Sequence, residues 1–407
     1  MHTCASPYGS SHGPSCGADL HHGRVRVPAP RPRRRRGATA WVQRATALLL
    51  AACAGSAVAQ SESWQFGAVL DVAASSRQPA LGQRAQGLGL GHSDISLFGP
   101  LGSDWRAQIT TAVHSHDRDL EAELEEAFVE SRALPAGLQL RAGRFSSQLG
   151  YLNEQHPHSD DFVERPLLYR AFLGGHWFDD GVRLNWTAPT THYLRLGAEV
   201  FRGRQLVDGA SDRRGAGALV LSARTGGDIG RAHSWQAGLS WLNNRRSTEE
   251  AHHDHAEDEH GHGHGAAFSG KQLYLADVTW KWAPDGNNSR QQLRLAYEFA
   301  EVRDLNRHAR GRDKHRAHYL SAVWRFAPSW EVGARADLLR VREPHGDHFH
   351  SGRLREDAVM LAYKPTHLQT LRLQLTRQHD AKGFETGKHA VQLQYVLSFG
   401  AHAAHAF

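Results

Sequence analysis

Cysteine is scarce: the 407-residue chain has three, Cys4, Cys16 and Cys53. Beyond residue 53 there is none, which excludes disulfide scaffolds and thiolate metal sites from the rest of the chain. Long apolar runs are missing too. No stretch after residue 60 approaches the ~18 apolar residues of a membrane-crossing helix. Also absent after residue 60 are HExxH, a nucleophile elbow, a phosphate-cradling glycine loop and a dinucleotide fingerprint. Pairing a serine with one of so many histidines would be guesswork, so no catalytic residue is assigned and no enzymatic activity is expected.

What is present at the N-terminus accounts for the charge. The formal net charge is +6, but residues 1–59 hold eight Arg and one acid, Asp19. Without them the chain stands at −1, so nothing in it calls for a nucleic-acid partner. RPRRRR (31–36) reads as the positive region of a secretory signal and Ala45 to Ala54 as its short apolar region. Ala57-Val58-Ala59 offers small residues for cleavage after Ala59. Leu50-Ala51-Ala52-Cys53 also fits a lipoprotein cleavage box, so lipidation at Cys53 stays open. Residues 1–30 resemble neither signal nor fold and read as an overextended gene start. The expected organisation is therefore a 1–59 extension and signal peptide, followed by one domain over 60–407.

That domain alternates with period two. Leu194, Leu196, Ala198 and Val200 alternate with Arg195, Gly197 and Glu199. Val391, Leu393, Tyr395, Leu397 and Phe399 alternate with Gln392, Gln394, Val396 and Ser398. About sixteen such segments can be traced, near 63–73, 87–98, 104–115, 120–132, 137–147, 180–188, 192–203, 216–224, 232–243, 271–283, 290–302, 317–327, 330–342, 355–364, 369–379 and 389–400. Tight turns, among them Gly99-Pro100-Leu101-Gly102, Pro284-Asp285-Gly286 and Lys364-Pro365-Thr366, alternate with mostly longer polar loops near 74–86, 148–179, 204–215, 244–270, 303–316, 343–354 and 380–388. The connection around His116 to Arg118 is short where a long one is expected.

An even number of strands, with short turns on one side and long loops on the other, predicts an all-β transmembrane antiparallel barrel of about sixteen strands. In hydrocarbon every backbone polar group must be paired internally, and a closed sheet does so without edges. Trp105, Trp186, Tyr193, Trp280, Trp282, Trp330 and Tyr363 fall beside the short turns, where an interfacial girdle belongs. Phe407 gives the terminal aromatic of such barrels. The expected location is the outer membrane of a Gram-negative bacterium, with membrane lipid as partner. A soluble sandwich or solenoid also alternates, but it does not account for the loop asymmetry or the aromatic positions.

Two loops carry candidate chemistry. EEAHHDHAEDEHGHGH (249–264) offers His252, His253, Asp254, His255, His260, His262 and His264 as ligands for zinc or a similar divalent cation. Gly261, Gly263 and Gly265 would let it wrap an ion, with weak multi-ion capture expected; a solvated acidic loop is the plain alternative. His156 and His158, His308 and His315, and His345, His348 and His350 extend the histidine bias to other long loops. The second loop, 148–179, is apolar where a solvent loop should not be, at Phe162, Val163, Leu167, Leu168, Tyr169 and Phe172. It is expected to fold into the lumen, putting Glu154, His156, His158, Asp160, Asp161, Glu164, Arg165 and Arg170 at a pore constriction. Packing against neighbouring loops without gating is the alternative.

LQLRAGRF (138–145), ERP (164–166) and DDGVRL (179–184) resemble the phosphate-selective porin O and P family over about 60 residues. The resemblance implies a sixteen-stranded porin with its third loop inside. Phosphate selectivity does not carry over, because that family depends on lysine-rich lumens and this loop has no lysine. With the histidine-rich loop, the chain is similar to zinc-responsive porin-like proteins often labelled TonB-dependent receptors. That label implies a plugged 22-stranded transporter, for which residues 60–407 are too few, and strand-like alternation already starts at Trp64. The function expected is a channel for small hydrophilic solutes linked to divalent metal uptake. A non-conducting surface metal scavenger or adhesin is the alternative. Porins are often homotrimers, a state the sequence leaves open.

Overall fold

The computed structural model describes residues 63–116, 119–206, 215–245, 266–385 and 389–400. The signal region 1–59, the histidine-rich loop 249–264 and Phe407 lie outside these residues. Seventeen strand segments occur: β1 (Gln65–Ser75), β2 (Gly87–Leu90), β3 (Ser93–Leu101), β4 (Trp105–His116), β5 (Asp119–Ser131), β6 (Leu138–Ser146), β7 (Phe178–Thr187), β8 (Tyr193–Phe201), β9 (Ala218–Ile229), β10 (His233–Asn244), β11 (Gln272–Trp282), β12 (Gln292–Arg303), β13 (His315–Ala327), β14 (Trp330–His345), β15 (His348–Thr366), β16 (Gln369–Lys382) and β17 (His389–Gly400). β2 and β3 both pair with β1 and are halves of one strand broken at Gly91-His92, so the barrel has sixteen strands. Each strand pairs antiparallel with its sequence neighbours, and β1 closes the sheet on β17 from Gly67↔Gly400 to Ser75↔Gln392.

The alternation does what the sequence implies. Along β16 and β17, Leu371, Leu373, Leu375, Val391 and Leu393 point outward and are exposed, while Arg372, Gln374, Thr376, Gln392 and Gln394 point inward and are buried. Exposed apolar side chains continue around the sheet, from Leu70 on β1 to Phe399 on β17. A belt of this extent belongs against lipid, not water. At the short-turn end Trp330 packs on Tyr363 with ring centroids 4.7 Å apart, and both face outward.

Three expectations are corrected. The stretch 343–354 is not a long loop. β14 and β15 run on until His345 faces His348, closed by a two-residue turn with Gly346 at φ +63°. Glycine adopts that conformation without strain, and the alternating Leu339-Arg340-Val341-Arg342 keeps the ladder paired beyond the membrane belt. His315 does not sit in a loop either. It opens β13, is buried against Phe172 and Phe268, and its Nδ1 accepts a hydrogen bond from the Arg342 backbone N–H at 3.0 Å. Lastly, β9 extends past residue 224 to Ile229, making a long hairpin with β10.

Candidate functional site

The connection between β6 and β7, residues 147–177, lies inside the barrel. Its apolar side chains drive it there. Phe162, Val163, Leu167, Leu168, Tyr169 and Phe172 are all buried. Most of them join inward-facing Leu242, Leu273, Leu275, Leu339, Val341 and Leu354 in one apolar cluster. The segment Leu167–Phe172 is a short helix, α1, entered from Pro166. Asn153 ties the two stems of the loop together. Its amide nitrogen donates to the Ser147 and Trp177 carbonyls, and its Oδ1 accepts from the Trp177 N–H at 2.8 Å. Gly150, at φ +70°, passes so close to the Tyr169 hydroxyl that a Cβ there would collide with it.

Carboxylates on the wall hold the loop. Glu298 of β12 accepts hydrogen bonds from the Tyr151 N–H (2.9 Å), the Tyr169 hydroxyl (2.7 Å) and the Tyr319 hydroxyl (2.5 Å). Asp337 of β14 accepts from the Leu167 N–H at 2.9 Å. Glu199 of β8 accepts from the Ser147 hydroxyl at 2.6 Å and the Gln148 N–H.

The eight residues expected at the constriction are all on this inserted loop, in two settings. Four are buried and engaged with protein. Glu164 accepts from the Gln83 and Arg84 backbones, Arg165 pairs with Asp160 at 2.7 Å, and Arg170 pairs with Glu356. The other four remain partly accessible. Asp161 pairs with Arg294, and Glu154 lies 2.9 Å from Arg195 and 3.2 Å from Arg224. Asp161 and His158 border a cavity of about 630 Å³ that reaches the short turns at Pro328 and Thr366 and also contacts Lys281, Arg294 and Arg372.

Glu154 gives a pH handle. Burial raises its carboxyl, but Arg195, Arg183 and Arg224 outweigh that and hold it at about 2. Because this lies below the ordinary 4.5, the tie is complete above pH ~4.5 and is lost as pH falls toward 2. Glu154→Gln is expected to remove the acid-induced part of any change in single-channel current as pH falls from ~4 toward ~2, where the Glu154 carboxyl takes up its proton. An unchanged acid response in the variant would assign that response to another group.

His156 and His158 belong to a cluster that the sequence did not reveal. The other members are His92 at the β2/β3 break, Asp94 on β3, Glu125 and Glu126 on β5, and His176 at the end of the loop. His92 Nε2 lies 3.1 Å from Glu125, and His176 Nδ1 lies 3.8 Å from it. His156 reaches Asp94 (3.2 Å), Glu125 (3.4 Å) and Glu126 (3.3 Å), and His158 reaches Asp94 at 3.3 Å. Burial lowers the His156 imidazole, yet Glu125, Glu126 and Asp94 raise it well above its ordinary value. Burial dominates at His176 and takes it down to about 4.

Two strand irregularities build this cluster. The β4–β5 register shifts between Thr110↔Glu126 and Thr111↔Leu124, leaving Glu125 as an extra residue. That bulge lets two consecutive carboxylates, Glu125 and Glu126, be buried inside the barrel. The break at Gly91-His92 lies on the strand on the other side of β4 from β5. Elsewhere, His345 and His350 stack edge-on at 4.7 Å and His308 is exposed. The seven ligands assigned to 249–264 (His252, His253, Asp254, His255, His260, His262, His264) lie outside the described residues.

Comparison with known proteins yields no matching family model. The chain is 28% identical over 352 residues to an uncharacterized protein of Aquifex aeolicus, spanning 79% of this chain and 70% of that one. Its fold is similar to Pseudomonas putida OprB (TM-score 0.55, 12% identity, 88% of this chain and 97% of that one). It is also similar to the trimer form of Vibrio cholerae OmpT (0.53, 9%, 83% and 99%). A third likeness is to the outer membrane channel DcaP of Acinetobacter baumannii (0.52, 12%, 83% and 96%). The chain folds as a sixteen-stranded outer-membrane β-barrel of porin architecture.

Proposed function

We propose that the protein is a diffusion channel for small hydrophilic solutes in the Gram-negative outer membrane, and that loop 249–264 concentrates zinc or a similar divalent cation at its mouth. The observation that carries the channel reading is the inserted loop beside a charged cavity in a closed barrel. Narrowing a lumen and lining what remains with Asp161, Lys281, Arg294 and Arg372 is how a pore selects by size and charge. β10 ends and β11 begins at the end of the barrel where the inserted loop also begins and ends, and residues 249–264 fall between these two strands in the sequence. The weak, exchangeable ligands of 249–264 would raise local ion concentration with no energy coupling. The trimer in which the Vibrio cholerae protein was solved is the assembly we propose here.

A second reading has its own support. The buried anchors leave the loop packed on several sides, as a stopper would be, which suits a metal-scavenging barrel that conducts little. Refolded protein in a planar bilayer separates the two readings. Stepwise conductance altered by micromolar zinc is expected, with deletion of 249–264 lowering zinc flux. A folded barrel without conductance would favour the scavenger.

A further inference from the structure

We propose that the lumen holds a divalent transition-metal site, built from His92, Asp94, Glu125, His158 and His176, that ties the inserted loop to the barrel wall. The proposal adds to the metal reading above a second site, distinct from loop 249–264.

The geometry is that of a ligand set. His92, Glu125 and His176 each offer a donor atom, and these atoms lie within 4.8 Å of one another. His92, Asp94 and His158 form a second such triad. Donors bound at about 2.0–2.1 Å around a tetrahedral zinc stand about 3.3 Å apart. The His92–Glu125 and His158–Asp94 separations of 3.1 and 3.3 Å are already of that size.

The polar accounting points the same way. His92 Nε2, Glu125 Oε2, His156 Nδ1, His158 Nδ1 and His176 Nδ1 are buried, and none makes a hydrogen bond. Buried polar atoms rarely go without a partner. Four of these, on His92, Glu125, His158 and His176, belong to the two triads and are arranged as ligands around a cation. A supporting contact is in place as well. The far nitrogen of His176 is 2.9 Å from the Ser146 hydroxyl. Contacts of this kind orient imidazoles for metal.

Chemistry selects the ion class. Imidazole nitrogen with carboxylate oxygen suits zinc and its first-row neighbours, whereas magnesium and calcium prefer all-oxygen shells. Because both triads include His92, one ion can occupy either. His158 also borders the cavity, so the second position faces the open part of the lumen. The ligands come from two sources. His92, Asp94 and Glu125 are on the wall, and His158 and His176 are on the loop. A bound ion therefore fastens one to the other.

The test uses the full chain with His252, His253, His255, His260, His262 and His264 changed to Asn, which removes the surface-loop histidines. Titration calorimetry with zinc is expected to find one equivalent bound, undiminished by excess magnesium or calcium. His92→Ala should weaken it by about 100-fold or more, because both positions lose a ligand. His158→Ala and His176→Ala should each cost less, since each leaves one triad whole. Equal losses in the three variants would overturn the shared-ligand arrangement, and no zinc bound above the buffer control would overturn the site. Heat-modifiable migration on gels checks that each variant is folded. If His92→Ala does not fold, cobalt absorption spectra of the chain with His92 intact still decide the question: imidazole-ligated bands displaced by zinc support the site, and their absence refutes it. Binding is read without any current. A conducting barrel that binds no zinc refutes this site alone, and a silent barrel that binds zinc refutes the channel alone.

Discussion

Replacing Glu356 by alanine is expected to cost the folded barrel about 3 to 5 kcal/mol and to loosen the inserted loop. Glu356 is fully buried and pairs with Arg170 of the loop and Arg335 of β14, whose side chains are 1% exposed. Arg335 also binds Asp337 at 2.7 Å and donates to the Glu164 carbonyl at 2.6 Å. Two guanidiniums are thus shared between two carboxylates inside the wall, with the Gln378 amide donating to Glu356 at 2.7 Å. The intact network need not stabilise the protein more than apolar residues would. Removing one member is different, because it leaves a buried positive charge that neither water nor protein compensates. A urea midpoint read by tryptophan fluorescence measures the loss, and current noise in a bilayer reports the loop. Asp357→Ala is the control. It is the next residue in sequence but half-exposed on the outer face, so a change within about 0.5 kcal/mol is expected. Similar losses in both variants would show that the effect comes from the strand and not from the network.

The barrel was legible because its physics repeats at every strand. Lipid on one face and water on the other impose period two, so each of the sixteen segments read from the sequence meets an observed strand. The inserted loop was legible for a related reason. Leu167, Leu168, Tyr169 and Phe172 could not face water, and the lumen is the nearest place to bury them. The histidine–carboxylate cluster was not legible, because its members span residues 92 to 176 and meet only through closure of the sheet and return of the loop. One local trace existed. In DLEAELEEAFVES (119–131), acids occupy 121 and 123, then 126 and 130, so the alternation changes phase at Glu125. A phase change inside a strand marks a bulge. Nothing in the sequence says what the bulge faces. The error at 343–354 has the opposite origin. The polar composition there suits a loop, but Pro344 stands in the ladder opposite Phe349 and the pairing runs on to the Gly346-Asp347 turn at the tip of a long hairpin.

Changing Leu167, Leu168, Tyr169 and Phe172 together to serine is expected to raise single-channel conductance several-fold while leaving the barrel folded. Each of these side chains is almost fully buried, and burying one of this size is worth about 1.5 to 3 kcal/mol. Their sum exceeds what one or two wall hydrogen bonds can restore at about 1 kcal/mol each. Tyr169→Ser also withdraws the phenol from Glu298, leaving that carboxylate to Tyr319 and the Tyr151 backbone. The sheet itself should persist. Its strands pair only with one another, and the outward belt from Leu70 to Phe399 does not touch the loop. Once the apolar drive is gone, the loop's remaining ties are hydrogen bonds to wall carboxylates and charged pairs, Arg170–Glu356 among them, which water entering the lumen weakens. The lumen then opens along the path the loop had filled. Conductance equal to that of the unchanged protein, in a variant with intact heat-modifiable migration, would mean that polar ties alone hold the loop, and would move its origin from hydrophobic burial to the wall carboxylates.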